Sequence, residues 1–226
     1  MTAPQRVVMM AEMHGRDLVR RRVALALLVA LPLSFYLASA GSGDGAVATG
    51  GVGMAFAVAG AALFSELSSA DVDQRLVLGG YRPFELLLGR LMFLGPLGLV
   101  IAAGFSVLMV AVSHPADGWL VLLGVAAVAV VAVPFGLAVG AGVARELEGT
   151  LVLIGVVGIQ LAVAPDSIVS KILPFYGPRQ LLEAGMTGTG AVAGPLLLSV
   201  VYAVVLLLLA RVFVGPRLGL VSHPRL

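Results

Sequence analysis

Six apolar stretches, each close to the length of a transmembrane helix, constrain this chain more than any other feature of its sequence. A hydrocarbon core about 30 Å thick is crossed by about 20 apolar residues in an α-helix. The stretches lie at about 23–40, 46–65, 91–112, 119–143, 147–164 and 191–210. Only 12% of the residues are charged, against about 25% in a typical soluble domain. The sequence therefore predicts an all-α integral membrane protein with six transmembrane helices in a single domain over residues 1–226.

The basic residues predict that both termini lie in the cytoplasm. Cytoplasmic segments are enriched in Arg and Lys when loops are short. With the N-terminus inside, the external loops hold only Lys171 and Arg179 of the 14 basic residues. The cytoplasmic segments hold the others, which are Arg6, Arg16, Arg20, Arg21, Arg22, Arg75, Arg82, Arg90, Arg145, Arg211, Arg217 and Arg225.

The segments outside the apolar stretches differ in character. Residues 1–22 carry an apolar stripe that includes Val7, Met10 and Leu18, and this pattern predicts a helix lying in the inner membrane interface. The segment at 68–90 is long, charged and cytoplasmic in this orientation. The segment at 165–190 is long, semi-apolar and external.

Motifs for catalysis and for cofactor binding are missing from the sequence. The lone lysine, Lys171, is followed by Ile172, so the phosphate-binding motif G-x-x-x-x-G-K-[ST] cannot occur. The sequence has no cysteine and no H-E-x-x-H or G-x-S-x-G motif. We therefore expect no enzyme activity, bound cofactor or metal in this chain. The arginines follow the helix ends, so nucleic-acid binding is not expected either.

Two features inside the apolar stretches predict how the helices pack. Gly136 and Gly140 form a G-x-x-x-G pair, which permits close approach of two helix backbones; the partner is either another helix of this chain or a second subunit. Glu66 falls near the inner end of its stretch, and Arg90 falls in the cytoplasmic segment. On this interpretation the membrane interior holds no buried ion pair, and a self-powered, ion-coupled carrier is not expected.

The segment from 71 to 90 reads DVDQRLVLGGYRPFELLLGR. It resembles the loop between the second and third helices of type-2 ABC exporter permeases, in which a charged stretch and a Pro break lead into E-L-L-L-G-K/R. Residues 85–90 match that ending, whereas Asp71, Asp73 and Arg75 replace the family's usual Glu-rich start. Residues 173–184 are similar to the family's short external helices between the fifth and sixth spans.

The resemblance implies a permease that pairs with a separate ABC ATP-binding subunit, which holds the ATP and Mg²⁺. Two permease chains, as a homodimer or a related heterodimer, would assemble with two ATPase chains. A helix within residues 70–84 would act as the coupling helix, with Leu76 and Leu78 facing inward and Asp73, Arg75 and Arg82 facing outward. The ATPase-coupling loop then comprises Asp71, Asp73, Arg75, Leu76, Leu78, Tyr81, Arg82, Phe84 and Glu85.

The function expected from this resemblance is export of a hydrophobic or amphiphilic cargo, such as a drug, lipid or lipid-linked molecule, across a bacterial plasma membrane. The alternative is an ATP-independent membrane scaffold or assembly factor, whose bundle only holds other proteins. A membrane-embedded enzyme is disfavoured because no catalytic set of residues is present.

Overall fold

The computed structural model describes residues 3–20, 22–40, 45–143, 145–165 and 167–217, and within them it contains helices and no β-strand. Arg21 and Arg225, which contribute to the predicted orientation, lie outside this part. The helices are α1 (Ala3–Arg20), α2 (Arg22–Ala38), α3 (Gly45–Ser68), α4 (Ala70–Leu78), α5 (Pro83–Ser113), α6 (Gly118–Gly142), α7 (Glu146–Ala162), α8 (Ile168–Ile172), α9 (Tyr176–Thr187) and α10 (Ala193–Arg217).

Four helices of the described residues, α3, α5, α6 and α10, are long and apolar enough to cross a membrane. A fifth candidate is formed if α1 and α2, which are bent by 82° relative to each other, are taken as one broken span. The chain is therefore a multi-pass membrane protein. Two of the six predicted spans, α2 and α7, have only 17 residues each.

The centre of the bundle is the contact between α3 and α6. A β-carbon added at Gly136 would lie 2.0 Å from the carbonyl oxygen of Ala59, and one added at Gly140 would lie 2.8 Å from Cβ of Glu66. Such distances leave no room for any side chain, because hydrogen is the only substituent small enough. The G-x-x-x-G pair therefore packs within the chain, which decides between the two partners left open by the sequence.

The helices are joined by different contacts at the two ends of the bundle, which we call the α4 end and the α9 end after the short helix at each. At the α4 end, the guanidinium of Arg211 in α10 lies 5.2 Å from the ring centre of Phe84 in α5. At the α9 end, the hydroxyls of Tyr36 and Ser113 are 2.5 Å apart, which joins the last turns of α2 and α5. The backbone N–H of Asp117 donates to the carbonyl of Gly185 over 2.9 Å, which joins the start of α6 to α9.

Helices α8 and α9 lie between α7 and α10, and α9 packs deeply into the bundle. Its Leu182 side chain fills space that two glycines leave open on neighbouring helices: a β-carbon at Gly51 of α3 would come within 2.4 Å of it, and one at Gly124 of α6 within 2.7 Å. The end of α9 is formed by Gly188 in the left-handed conformation, with φ of 67°. The long segment before α10 is thus a structured part of the fold.

Candidate functional site

The segment between α3 and α5 folds as a short helix held between two tight turns. The nine residues of α4 follow α3 after Ser69 alone. Helix α4 ends at Leu78 and is capped by Gly79, and Gly80 takes a positive φ of 92° that favours glycine. Pro83 then starts α5, at the position where its missing N–H costs nothing. The carboxylate of Glu85 accepts a hydrogen bond of 3.0 Å from the N–H of Arg82, which caps α5.

A fully buried arginine joins α3, α4 and α5. Arg90, on the second turn of α5, donates from one nitrogen to Glu66 of α3 over 2.6 Å. Its second terminal nitrogen donates to the hydroxyl of Ser69 over 2.6 Å and also to the carboxylate of Asp73 in α4. The arginine side chain is 0% exposed, and the two carboxylate side chains are 2% and 3% exposed. We call Glu66, Ser69, Asp73 and Arg90 the Arg90 cluster.

Energetically, the Arg90 cluster is stable only as a complete set. Removing one partner of a buried ion pair leaves an uncompensated charge and costs about 3–5 kcal/mol. The planar guanidinium can serve two carboxylates and a hydroxyl at once, because it presents five N–H donors in a fixed arrangement. The cluster therefore fixes the position of α4 relative to the two long helices beside it.

The structure corrects two predictions made from the sequence. The expectation of no buried ion pair is wrong at this end of the bundle, because Arg90 and Glu66 pair there across α5 and α3. The predicted orientation of α4 is wrong for two residues: Asp73 faces inward and is buried, whereas Leu78 faces outward and is 89% exposed. The ion pair between Asp73 and Arg90 determines how α4 is rotated about its own axis. An unpaired buried charge costs more free energy than a leucine side chain exposed to solvent.

The remaining coupling-loop residues fall into an exposed and a partly covered group. Asp71 and Arg75 are exposed on α4, as is Arg82 after it, while Leu76 is half-buried. Together with Leu78, the exposed residues Asp71, Gln74 and Arg75 form what we call the α4 outer face. This face carries one negative charge from Asp71, one positive charge from Arg75 and the large apolar side chain of Leu78. No described residue covers it.

Helix α1 contacts the turn after α4 through Arg6. This side chain donates to the carbonyl of Gly80 over 2.7 Å and lies 3.5 Å from the carboxylate of Glu85. Its guanidinium also lies 5.3 Å from the ring centre of Tyr81. Further along, a β-carbon at Gly89 would lie 2.6 Å from Cβ of Met10, so α1 packs closely against the first turns of α5. The turn between α4 and α5 is thus held from outside as well as from inside.

A second polar group lies near the α9 end. Arg179 of α9 donates to the carbonyls of Gln160 and Val163 over 3.0 and 3.1 Å, and to the carboxylate of Glu183 over 2.9 Å. The guanidinium therefore satisfies carbonyls that the end of α7 leaves without intrahelical partners. The side-chain amide of Gln160 donates to the buried hydroxyl of Ser170 over 3.2 Å.

The role of Arg90 was missed because an arginine beside an apolar stretch is ordinarily read as a marker of topology. A usable signal was present: Glu66 adjoins the end of one apolar stretch and Arg90 the start of the next. Charges at membrane depth are usually paired with one another. Among the residues that the structure describes, no group of three or more His, Cys, Asp or Glu side chains could hold a metal ion.

No protein-family model matches the chain, and no curated protein matches it. The geometry of the described residues therefore carries the functional argument. The features that define the class of protein are the apolar helices of a multi-pass membrane protein and a short helix, α4, that is bonded to α3 and α5 on one side and exposed on the other.

Proposed function

We propose that α2, α3, α5, α6, α7 and α10 each cross the membrane, with the α4 end in the cytoplasm. Supporting this, helices that follow one another in the chain meet alternately at the α4 end and the α9 end. The two 17-residue helices are about 26 Å long at 1.5 Å per residue, and a short span is accommodated by local thinning of the bilayer. Both carry apolar side chains on their exposed faces, such as Leu27 on α2 and Leu151 on α7.

Single cysteines test this topology directly, because the chain has none of its own. Exposed positions at the α9 end are Ala116 and Thr189, and exposed positions at the α4 end are Gln74 and Glu148. Cysteines at the first two should react with an impermeant maleimide in intact cells, and cysteines at the last two only after permeabilisation. Labelling of Glu148→Cys from outside would contradict a membrane-spanning α7.

On this topology, the function we propose is that of a permease subunit of an ATP-driven exporter, with α4 as its coupling helix. The observation that carries the proposal is the clamp on α4: Arg90 bonds its inner face through Asp73, while the α4 outer face stays uncovered. A helix that is bonded to two spans on one side and exposed on the other can transmit a movement of a partner subunit to the bundle. A solvated loop without such bonds would deform instead, and the movement would not reach the bundle.

The cargo class that fits this fold is hydrophobic or amphiphilic, because the membrane-crossing helices present few charges for a hydrophilic path. ATP hydrolysis belongs to a separate subunit in this proposal, since the sequence has no phosphate-binding motif. A second copy of the permease and two ATP-binding subunits complete the transporter. The energy for moving the cargo then comes from closure of the ATP-binding subunits against α4.

The decisive experiment co-expresses this chain with an ABC ATP-binding subunit from the same genome and tests whether the two purify together. The variant R75E/L78E alters the α4 outer face, and R145E/L147E is its matched control. All four side chains are exposed, and the control pair lies at the start of α7 at the same end of the bundle. We expect R75E/L78E to lose co-purification and stimulated ATP turnover in proteoliposomes, whereas R145E/L147E keeps both.

Equal co-purification and equal ATP turnover for the two variants would show that α4 is not the coupling element. If no ATP-binding subunit co-purifies with the unaltered chain, the exporter proposal fails and the scaffold alternative takes its place. Membrane insertion should be the same for both variants, because exposed substitutions usually change stability by less than about 0.5 kcal/mol.

A further inference from the structure

A groove of about 610 Å³ lies between α1, α2, α3 and α5. Its volume is within the range of about 300–1,000 Å³ that is usual for ligand pockets. The walls are apolar over most of the length and are formed by Leu27, Leu28 and Leu31 of α2, Phe56 and Phe64 of α3, and Phe93 of α5. Leu27 and Phe64 remain 55% and 44% exposed, so the groove is open at the side.

The polar residues of the groove are concentrated at one end. There α1 contributes His14, Arg16 and Arg20, and the last turn of α3 contributes serine hydroxyls. Arg16 is also paired with Glu12 at 2.5 Å, and both of these side chains are largely exposed. Among the described side chains, this end of the groove thus carries two guanidinium groups, Arg16 and Arg20, and one carboxylate, Glu12. Guanidinium groups bind phosphate oxygens strongly, often through two parallel hydrogen bonds.

We propose that this groove binds an anionic membrane lipid, with an acyl chain along the apolar walls and the phosphate at Arg16 and Arg20. The side opening lies between faces of apolar helices, so a lipid can enter from the bilayer without leaving it. A water-soluble anion would use the basic end but leave the apolar length unfilled. A neutral lipid would fill the apolar length but would bring no anionic group to Arg16 and Arg20.

The bound lipid would contact the α4 clamp directly. Val72 of α4 and Ser69 line the same groove, and Ser69 is a member of the Arg90 cluster. Occupancy of the groove would therefore be sensed at the helix that we propose as the coupling element. Lipid binding itself does not depend on export, since it is a property of this chain alone.

Quenching of tryptophan fluorescence by brominated lipids tests the proposal on the purified full chain. The single native tryptophan is removed by Trp119→Phe, and a reporter is placed in the groove by Phe64→Trp. The control reporter is Leu208→Trp, on an exposed apolar face of α10 away from the groove. Each protein is reconstituted in vesicles that contain either brominated phosphatidylglycerol or brominated phosphatidylcholine.

We expect the groove reporter to prefer phosphatidylglycerol over phosphatidylcholine by at least about fivefold, since one basic residue near an anionic surface contributes roughly that factor. The control reporter should show no such preference. R16Q/R20Q should bring the preference at the groove close to one. R75Q/R82Q removes two exposed charges outside the groove and should leave the preference unchanged.

A second pair of variants tests occupancy independently of charge. Gly60 lines the groove, and a β-carbon added there meets nothing within 4 Å. Gly60→Leu should therefore fold and reduce quenching of the groove reporter by both lipids. Gly155→Leu is the control on α7, where an added β-carbon also meets nothing within 4 Å. Equal quenching by the two lipids, a preference that survives R16Q/R20Q, or unchanged quenching in Gly60→Leu would overturn the proposal.

Discussion

Replacing Arg90 by methionine should destabilise the chain strongly, because it leaves Glu66 and Asp73 buried without their guanidinium. The side chains of these two residues are 2% and 3% exposed, so solvent cannot replace the lost partner. Breaking a buried pair in this way costs about 3–5 kcal/mol. For a chain of this length each kcal/mol lowers the unfolding midpoint by about 2–4 °C, which gives a decrease of roughly 6–20 °C.

The assay is the temperature at which half of the purified protein loses its monodisperse peak after heating in one detergent. The triple variant E66M/D73M/R90M separates charge from packing. Apolar side chains of similar volume often replace a buried ionic group without loss of stability, so this variant should recover most of the decrease. The exposed variants R75M and R82M are controls and should stay within about 2 °C of the unaltered chain.

The reasoning would be refuted by a midpoint for R90M within 2 °C of the unaltered chain. It would equally be refuted if the triple variant were as unstable as R90M, because the lost stability would then come from packing alone. Export by the triple variant can also be compared with export by the unaltered chain. The triple variant should be stable but should not couple ATP hydrolysis to export, since its α4 has lost the bonds that fix it.

Two further predictions concern helix packing. Gly136→Ala places a β-carbon against the carbonyl of Ala59 and should cost about 1–3 kcal/mol as overpacking, measured as a lower unfolding midpoint. Gly104→Ala, where an added β-carbon meets nothing within 4 Å, should leave the midpoint unchanged or slightly higher. Arg179→Gln removes the donor to the end of α7 and should cost about 1–3 kcal/mol; Lys171→Gln, at an exposed position, should cost nothing measurable by the same assay. Equal midpoints within either pair would contradict the corresponding packing assignment.

The sequence was a good guide to the helices and a poor guide to the contacts between them. Apolar length predicts a helix such as α6 reliably, because backbone groups in lipid must be satisfied within the segment. The sequence predicts a span at 147–164, and the structure gives the corresponding helix, α7, only 17 residues. Continuous apolar length was insufficient there because two glutamates, Glu146 and Glu148, occupy the first turn of the helix.

The orientation of α4 could not be predicted from its nine residues, since so short a helix has too few apolar positions to define a face. Its rotation is set by Arg90, which lies 17 positions beyond Asp73 and 24 beyond Glu66. Pairing over such separations depends on how α3 and α5 pack, which periodicity does not report. The G-x-x-x-G pair was more predictable, because glycine spacing records a backbone contact on the helix that carries it.

The close contact between α3 and α6 has a consequence for how the molecule changes shape. At Gly136 and Ala59 the backbones of the two helices approach so closely that no layer of side chains lies between them. We therefore expect the two helices to move together as one body, and any alternation between states to be made by the helices around them. Structures of the protein in different states should therefore superimpose on α3 and α6, with the differences confined to the helices around this pair.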